Sequence, residues 1–393
     1  MERIIIFTGK GGVGKTSVAA AHARMASAEG LKSLIVSVDM AHNLGDLFEK
    51  HIGRDITELD ENLYGLEIDP VYEMESNFSH LVKAMERMFP ATGDRNSEIL
   101  MMPGIEELFA LLRIKQIYES GEYDVIIVDC APTGETLSLL KFPELFAWYM
   151  EKFFPIGKVA VRLMKPVSRK LFSIELPDNK AMNDIQKLYK QLLELQELLK
   201  DREVTSIRLV TLPEKMVVEE TKRSYMYLNL FNFNVDGVFI NRALPRDQEL
   251  PFFDEWLKLQ EKYIDELEMV FSDIPLFRIK WYDTEIKGIE ALDRIIRDTF
   301  GRTDILKVLK DSKNEEYEKN EYGYLLKLLI PNAARDEIIL HESGTDIIIR
   351  IGNFKRSIPL PYVLRKFRVA WAKFNGACLD IQFVGKDGGN EDE

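Results

Sequence analysis

The sequence predicts an α/β fold, a mainly parallel sheet covered by helices with an inserted helical subdomain, followed by an all-β sandwich. Three observations carry that prediction. Short runs of β-branched and aliphatic residues recur up to about residue 241, separated by helical patterns; continuous apolar strands of this kind are buried on both faces, as in a parallel sheet between helix layers. Two long stretches between those strands have helical periodicity instead. From residue 324 onward the pattern changes to short strand-like runs, with Gly352-Asn353 placed as a hairpin turn.

The strands are expected at 3–7, 33–38, 125–128, 207–210 and 235–240. The helical subdomain is expected at about 72–120 and 141–200. Its second part carries Ile185, Leu188, Leu192, Leu195 and Leu199 at helical spacing, preceded by a basic, apolar stretch with Lys158, Arg162, Lys165, Arg169 and Lys170. A further α segment is expected at about 250–310, closing a first domain of residues 1–310. The charged run 311–322 reads as a solvated linker. Runs at 324–330, 346–351 and 379–383 define a small sandwich at 323–386, and 387–393 reads as a disordered tail.

Composition excludes several classes. A chain of 393 residues, 46% hydrophobic, can bury a large core. The net charge of −13 argues against a general nucleic-acid binder, which needs clustered Lys and Arg on phosphates. Only Cys130 and Cys378 occur, so neither a disulfide framework nor a zinc site of paired CxxC ligands is available. No signal-peptide pattern opens the chain, and no apolar run approaches the ~20 residues of a membrane span. A protein of a reducing, cytoplasmic compartment without stable membrane insertion is expected.

Gly9-Lys-Gly-Gly-Val-Gly-Lys-Thr16 satisfies GxxxxGK[ST], with an apolar strand directly before it and a helix beginning at about Lys15. Gly9, Gly11, Gly12 and Gly14 let successive backbone amides, Val13 among them, turn toward phosphate oxygens, aided by the positive end of the following helix that starts Lys15-Thr16-Ser17. Lys15 is placed to neutralise the β and γ phosphates and the Thr16 hydroxyl to ligate Mg²⁺, so ATP and Mg are the expected cofactors of a P-loop NTPase. Asp39 ends the second strand, where ligands bind in open α/β sheets; capping the next helix is its bland alternative. Four apolar residues followed by Asp129 form the pattern of a second Mg²⁺-associated carboxylate, acting through water. Asn241 ends the fifth strand, and a turn residue is its bland alternative.

The loop Lys10-Gly-Gly-Val-Gly-Lys-Thr16 resembles the deviant phosphate loop of the MinD, nitrogenase iron protein and arsenical pump-driving ATPase group. That resemblance implies that Lys10 reaches the partner subunit's nucleotide, and hence a homodimer. Asp39, Ala41, His42, Leu44, Asp46 and Phe48 match the group's first switch, with Met40 in place of its Pro; Asp39 then orients the attacking water. Asp129-Cys-Ala-Pro-Thr-Gly-Glu-Thr-Leu137 resembles the second switch of the arsenical pump-driving and tail-anchored-protein-targeting ATPases, with Cys130 for Thr and Glu135 for His. Asn241 is similar to the adenine-reading residue, Ile274-Pro-Leu276 with Glu285-Ile-Lys-Gly288 to the stretch that covers the base, and Thr211-Leu-Pro-Glu214 with Glu219-Glu-Thr221 also follows the family. The segment Ile349 to Pro361 resembles a small heat-shock, α-crystallin-type domain.

What the resemblance implies is an Mg-dependent ATP hydrolase, a nucleotide-gated homodimer with Asp39, Lys10 and Lys15 in the catalytic centre, that handles an apolar protein client. Met74, Met85, Met88, Met101, Met102, Met150, Met164 and Met182 offer thioethers for such a client, and ordinary core packing is the alternative. Two rivals stand beside it: a pump-driving subunit for an anion or metalloid transporter in the membrane, disfavoured for arsenite by the two cysteines, and a nucleotide-sensing scaffold that does not hydrolyse.

Overall fold

The computed structural model describes residues 2–39, 43–79, 105–130, 134, 140, 179–245, 254–301, 303–311, 313–343 and 345–385. The chain divides into two compact units, 1–205 with 284–306, and 206–283 with 307–393. In chain order the first unit opens with β1 (Arg3–Thr8), α1 (Lys15–Ala28), β2 (Ser33–Ser37), α2 (Asn43–Phe48), β3 (Thr57–Asp60), β4 (Leu63–Glu67), α3 (Pro70–Tyr72, running on as a π turn Glu73–Asn77), α4 (Ile105–Glu119), β5 (Val125–Asp129) and α5 (Asn179–Lys200). The second unit opens with β6 (Thr205–Thr211), α6 (Lys215–Leu230), β7 (Val235–Ala243), α7 (Asp254–Val270) and β8 (Leu276–Lys280). The chain returns to the first unit for α8 (Gly288–Ile295). It ends in the second with β9 (Glu315–Asn320), β10 (Gly323–Leu329), β11 (Ile338–Ser343), β12 (Asp346–Ile351), β13 (Phe354–Pro359), β14 (Phe367–Phe374) and β15 (Cys378–Gly385).

In the first unit the strand order is β3-β4-β2-β5-β1, parallel except for the antiparallel β3. Every residue of β1, β2 and β5 is buried, as their unbroken apolar runs require of strands covered on both faces. Helix α1 packs with its small residues Ala19, Ala20, Ala21, Ala23 and Ala26 inward. Its Arg24 clamps Asp293 of α8 at 2.8 Å and Asp60 of β3 at 3.0 Å. Of the stripe expected on α5, Leu192, Leu195 and Leu199 are buried, and the side chains of Ile185 and Leu188 lie outside the described residues. Met74 is a core residue, 4% exposed. The basic stretch 158–170 and Met85, Met88, Met101, Met102, Met150 and Met164 lie outside the described residues, as does the side chain of Met182.

In the second unit β6, β7 and β8 run parallel in that order. Strand β8 corrects the expectation of an all-α segment at 250–310. Only Ile279 of its five residues is buried, so it lacks the apolar run that marks the other parallel strands, and β7 alone pairs with it within the unit. Strands β3 and β4 were missed for a related reason, being short and carrying Glu58, Asp60 and Glu67.

The C-terminal part is two antiparallel sheets, β14-β15-β10-β9 and β11-β12-β13. Gly352 (φ +54°) and Asn353 make the expected hairpin, setting Ile351 opposite Phe354. Ile347, Ile349 and Ile351 of one sheet and Leu326, Leu328, Leu379, Ile381 and Phe383 of the other are buried at every second position. Strand β9 overturns the linker expected at 311–322. Tyr317 pairs with buried Leu326 while Glu318 reaches Lys327 at 2.6 Å, so charges at period two form the outer face of a strand.

The sandwich is built onto α6 and the turn that follows it. Arg356 donates to the Leu230 carbonyl at 2.6 Å and pairs with Glu315 at 2.8 Å, Asn314 Nδ2 donates to the Phe233 carbonyl at 2.6 Å, and the rings of Tyr227 and Phe354 meet edge-on at 4.0 Å. Nearby, Arg208 of β6 and Asp236 of β7 form a fully buried ion pair at 3.1 Å. Arg208 also donates to the Lys307 carbonyl, and Asp236 accepts from the Leu309 amide, pinning the segment that leads into the sandwich. Removing one partner strands a charge in the core. Asp236→Leu is therefore expected to destabilise the protein by about 3–5 kcal/mol in urea unfolding, and adding Arg208→Met to it to restore much of the loss.

Candidate functional site

Parallel pairing sets the C-terminal ends of three strands side by side, with Asp129 of β5 in register between Phe7 of β1 and Ser37 of β2. The pairing runs one residue further, because the Val38 amide donates to the Asp129 carbonyl at 3.0 Å and the Cys130 amide to the Phe7 carbonyl at 3.2 Å. The glycine-rich loop leaves β1 here and returns as α1. Gly12 (φ +80°) and Gly14 (φ +88°) hold left-handed conformations, and a Cβ built on Gly12 meets nothing, so backbone sign rather than crowding demands glycine at that position. Val13 is buried and anchors the loop, whereas Gly11 and Gly12 are exposed. Lys15 is 6% exposed at the first position of α1, Gly9 is buried, and Lys10, Thr16 and Ser17 are partly exposed.

Asp129 is the electrostatic centre of this cluster. Its Oδ2 accepts from the Thr16 hydroxyl at 2.6 Å, and its Oδ1 is buried with no hydrogen-bond partner among the described residues. Burial pushes its pKa up to about 6, against the pull of the Thr16 hydrogen bond and the Lys15 charge, with Asp39 adding to the rise. Asp39 is partly exposed, its amide donating to Ser37 Oγ at 3.3 Å. The hydroxyl of Thr16, the orphaned oxygen of Asp129 and the Asp39 carboxylate are hard oxygen donors, and this set fits a magnesium ion. Met40, Ala41, His42, Pro132, Thr133 and Glu135 lie outside the described residues. Leu44, Leu47 and Phe48 of the first-switch segment bury the inner face of α2, while Asp46 lines a cleft of about 690 Å³ with Glu49, Lys50, His51 and Arg54.

Asn241 belongs to the second unit, near the end of β7. It is 9% exposed, and its Oδ1 accepts from the amide of Arg242, a residue at φ +52°. Gln260 of α7 clamps that turn, accepting from the Leu244 amide at 3.0 Å and donating to the Arg242 carbonyl at 3.4 Å. A cavity of about 300 Å³ opens beside it, lined by Pro213, Glu214, Arg242, Trp256, Gln260 and Trp281. Sequence reasoning missed Trp256, Gln260 and Trp281; no local pattern joins them, and only the packing of α7 beside β7 and β8 brings them together. Further along, Gly288 (φ +72°) opens α8 directly after Glu285-Ile-Lys287.

The anion-transporting ATPase family matches residues 2–300, and an HSP20-like domain found in ArsA matches residues 321–383. The chain belongs to the anion-transporting ATPase family. It is similar to an arsenical pump-driving ATPase of Chlorobaculum tepidum, 36% identical over 97% of this chain and 96% of the relative. An arsenical pump-driving ATPase 1 of Aquifex aeolicus is 33% identical over 94% of this chain and 97% of its own length. The ATPase GET3A of Arabidopsis thaliana is 27% identical over 72% of this chain and 80% of its own length. The protein is thus an ATPase that binds nucleotide and carries an HSP20-like domain. Among the described residues no helix is long and apolar enough to cross a membrane.

A carboxylate whose pKa is raised by burial stabilises the fold below its unfolded value near 3.8 and loses that contribution as pH rises through about 6. Asp129→Asn is therefore expected to stabilise the nucleotide-free protein at pH 7, by up to about 3 kcal/mol, and to flatten the fall in urea stability between pH 4 and 6.

Proposed function

We propose that this ATPase is an Mg-dependent ATP hydrolase that works as a nucleotide-gated homodimer and couples hydrolysis to the handling of an apolar protein client. The observation that supports this reading most directly is the contact of Thr16 with a buried Asp129 whose second oxygen has no hydrogen-bond partner among the described residues, at the foot of a glycine-rich loop. Loop amides from Gly9 to Ser17 and the Lys15 ammonium hold the phosphates, and Thr16 with Asp129 and Asp39 holds the ion, the carboxylates acting through water. Bound magnesium supplies neutralising charge at the phosphate oxygens. Asp39, exposed enough to meet solvent, accepts a hydrogen bond from the attacking water and orients it in line with the scissile bond. Lys10 reaches the partner's nucleotide, which makes closure of the dimer depend on ATP, and Asn241 reads the adenine edge. Loss of the γ phosphate then releases the segments after Asp39 and Asp129, and with them the helical surface offered to the client.

A pump-driving role for an anion or metalloid transporter is the second reading, favoured by the names of the relatives from Chlorobaculum tepidum and Aquifex aeolicus. Against a metalloid stands the pair of cysteines, of which Cys130 is buried. A scaffold that senses nucleotide without hydrolysing it is set apart by turnover alone.

Two measurements test the proposal. Asp39→Asn is expected to lower Mg-dependent turnover by at least about a hundredfold while ATP still binds. The molecular mass of that variant in solution is expected to double with Mg-ATP, and Lys10→Ala to remove the doubling. A mass indifferent to both nucleotide and Lys10 would end the gated-dimer reading.

A further inference from the structure

Between Ile347 and Leu379 the chain carries seven basic residues and no carboxylate, although its net charge is −13. The fold sorts those seven. Arg356 is buried in its bonds to Leu230 and Glu315. Arg350 and Lys355 oppose each other on the outer face of the three-stranded sheet. The other four are exposed, on β14 and on the turn that leads into it. Arg365 and Lys366 lie on the short 3₁₀ turn Tyr362–Lys366, and Arg368 and Lys373 on β14. Pairing with β15, whose Leu379, Ile381 and Phe383 point into the core, sets Arg368, Trp371 and Lys373 on the outer face. Lys373 Nζ lies 4.8 Å from the Trp371 ring. Around these cations Tyr362 is 75%, Val363 53% and Trp371 39% exposed.

Basic residues on the outermost strand of a sheet commonly guard it against pairing with another chain, but a guard has no use for exposed Tyr, Val and Trp. Nor does β14 offer a clean edge for strand addition. Its register breaks between Val369 and Trp371, and the Val369 amide already donates to Glu342 Oε2 at 3.2 Å. Side chains rather than backbone must therefore make the contact. Among the described residues, Glu342 and, paired in register with Lys373, Asp380 are carboxylates that face them. Cations interleaved with Trp and Tyr suit a diffuse negative surface over an apolar interior, where the charges meet headgroups and the rings settle at the boundary.

We propose that Tyr362, Arg365, Lys366, Arg368, Trp371 and Lys373 form a surface that adsorbs to anionic lipid bilayers without inserting into them. The remainder of the chain is acidic and repels such a membrane, so the protein docks with this side foremost and does so in a salt-dependent way. The surface lies wholly in the C-terminal sandwich and rests on neither the dimer nor the client reading.

Co-sedimentation of the full-length protein with vesicles tests this directly, comparing phosphatidylcholine alone with phosphatidylcholine mixed with phosphatidylglycerol. Binding is expected to the mixed vesicles only, and to fall as salt is raised. Each cation near the surface contributes roughly fivefold, so Arg365→Gln with Lys366→Gln and Arg368→Gln is expected to weaken partition about a hundredfold. Trp371→Ser also weakens it, while Arg350→Gln with Lys355→Gln on the other sheet leaves it within about twofold. Unchanged ATPase activity and circular dichroism establish that each variant is folded; should the triple variant misfold, Trp371→Ser and the salt titration decide. Equal binding to neutral vesicles, no binding to anionic ones, or an equal loss in the Arg350 and Lys355 pair would overturn the assignment.

Discussion

The rest of the first unit depends on one arrangement, a carboxylate held almost without solvent at the C-terminal ends of parallel strands. Asp129 is 1% exposed, and the strand register that carries it there also fixes Phe7 and Ser37 at the same level. Because β1, β2 and β5 all point the same way, the glycine loop, Asp39 and Asp129 leave the sheet at one end. Burying the charge is unfavourable, and the Thr16 hydroxyl and the Lys15 ammonium offset only part of that cost. A site of this kind trades stability of the empty protein for strong electrostatics when phosphate and a cation arrive, a trade common in catalytic centres.

The second unit shows how an all-β module becomes part of the body of an ATPase rather than an appendage. The contacts that join it to α6 are charge-assisted and aromatic. The Arg356 guanidinium caps the carbonyl end of that helix, where the helix dipole favours a cation, and Glu315 neutralises what the cap leaves over. The opposite end of α6 begins next to Glu214, which lines the cavity holding Trp256 and Trp281. One helix therefore has the cavity at its first turn and the sandwich at its last. That placement gives the HSP20-like domain a fixed orientation relative to α6, so its outward surfaces are presented in a definite direction.

Charge is unevenly spread along the chain, and the fold makes that unevenness spatial. The long acidic majority carries the net negative charge, whereas β14 and the turn before it gather cations beside exposed aromatic rings. Strand pairing is the physical cause, since the register with β15, shifted between Val369 and Trp371, sends Arg368, Trp371 and Lys373 outward.

What the sequence determined by itself is whatever short-range chemistry dictates. The aliphatic runs of β1, β2 and β5, and those of β6 and β7 interrupted by Arg208 and Asp236, marked buried parallel strands, the glycines of the loop after β1 marked a phosphate-turning backbone, and Gly352-Asn353 marked a hairpin. Thr16 and Asp129 were both legible as residues, yet their 2.6 Å contact spans 113 positions and exists only because β1 and β5 are neighbours. Strand β8 lacked an apolar run, and β9 hid its strand character behind charges at period two; each is held by its neighbour rather than by its own composition. The buried pair Arg208 and Asp236, the Gln260 clamp and the Trp256 and Trp281 cavity were likewise invisible, because their partners meet through tertiary packing. Local backbone preference and hydrophobic periodicity act over a few residues and can be read in order along the chain. The pKa of Asp129, the seating of the sandwich on α6 and the facing of β14 depend on which distant segments exclude water from one another, and only the folded chain decides that.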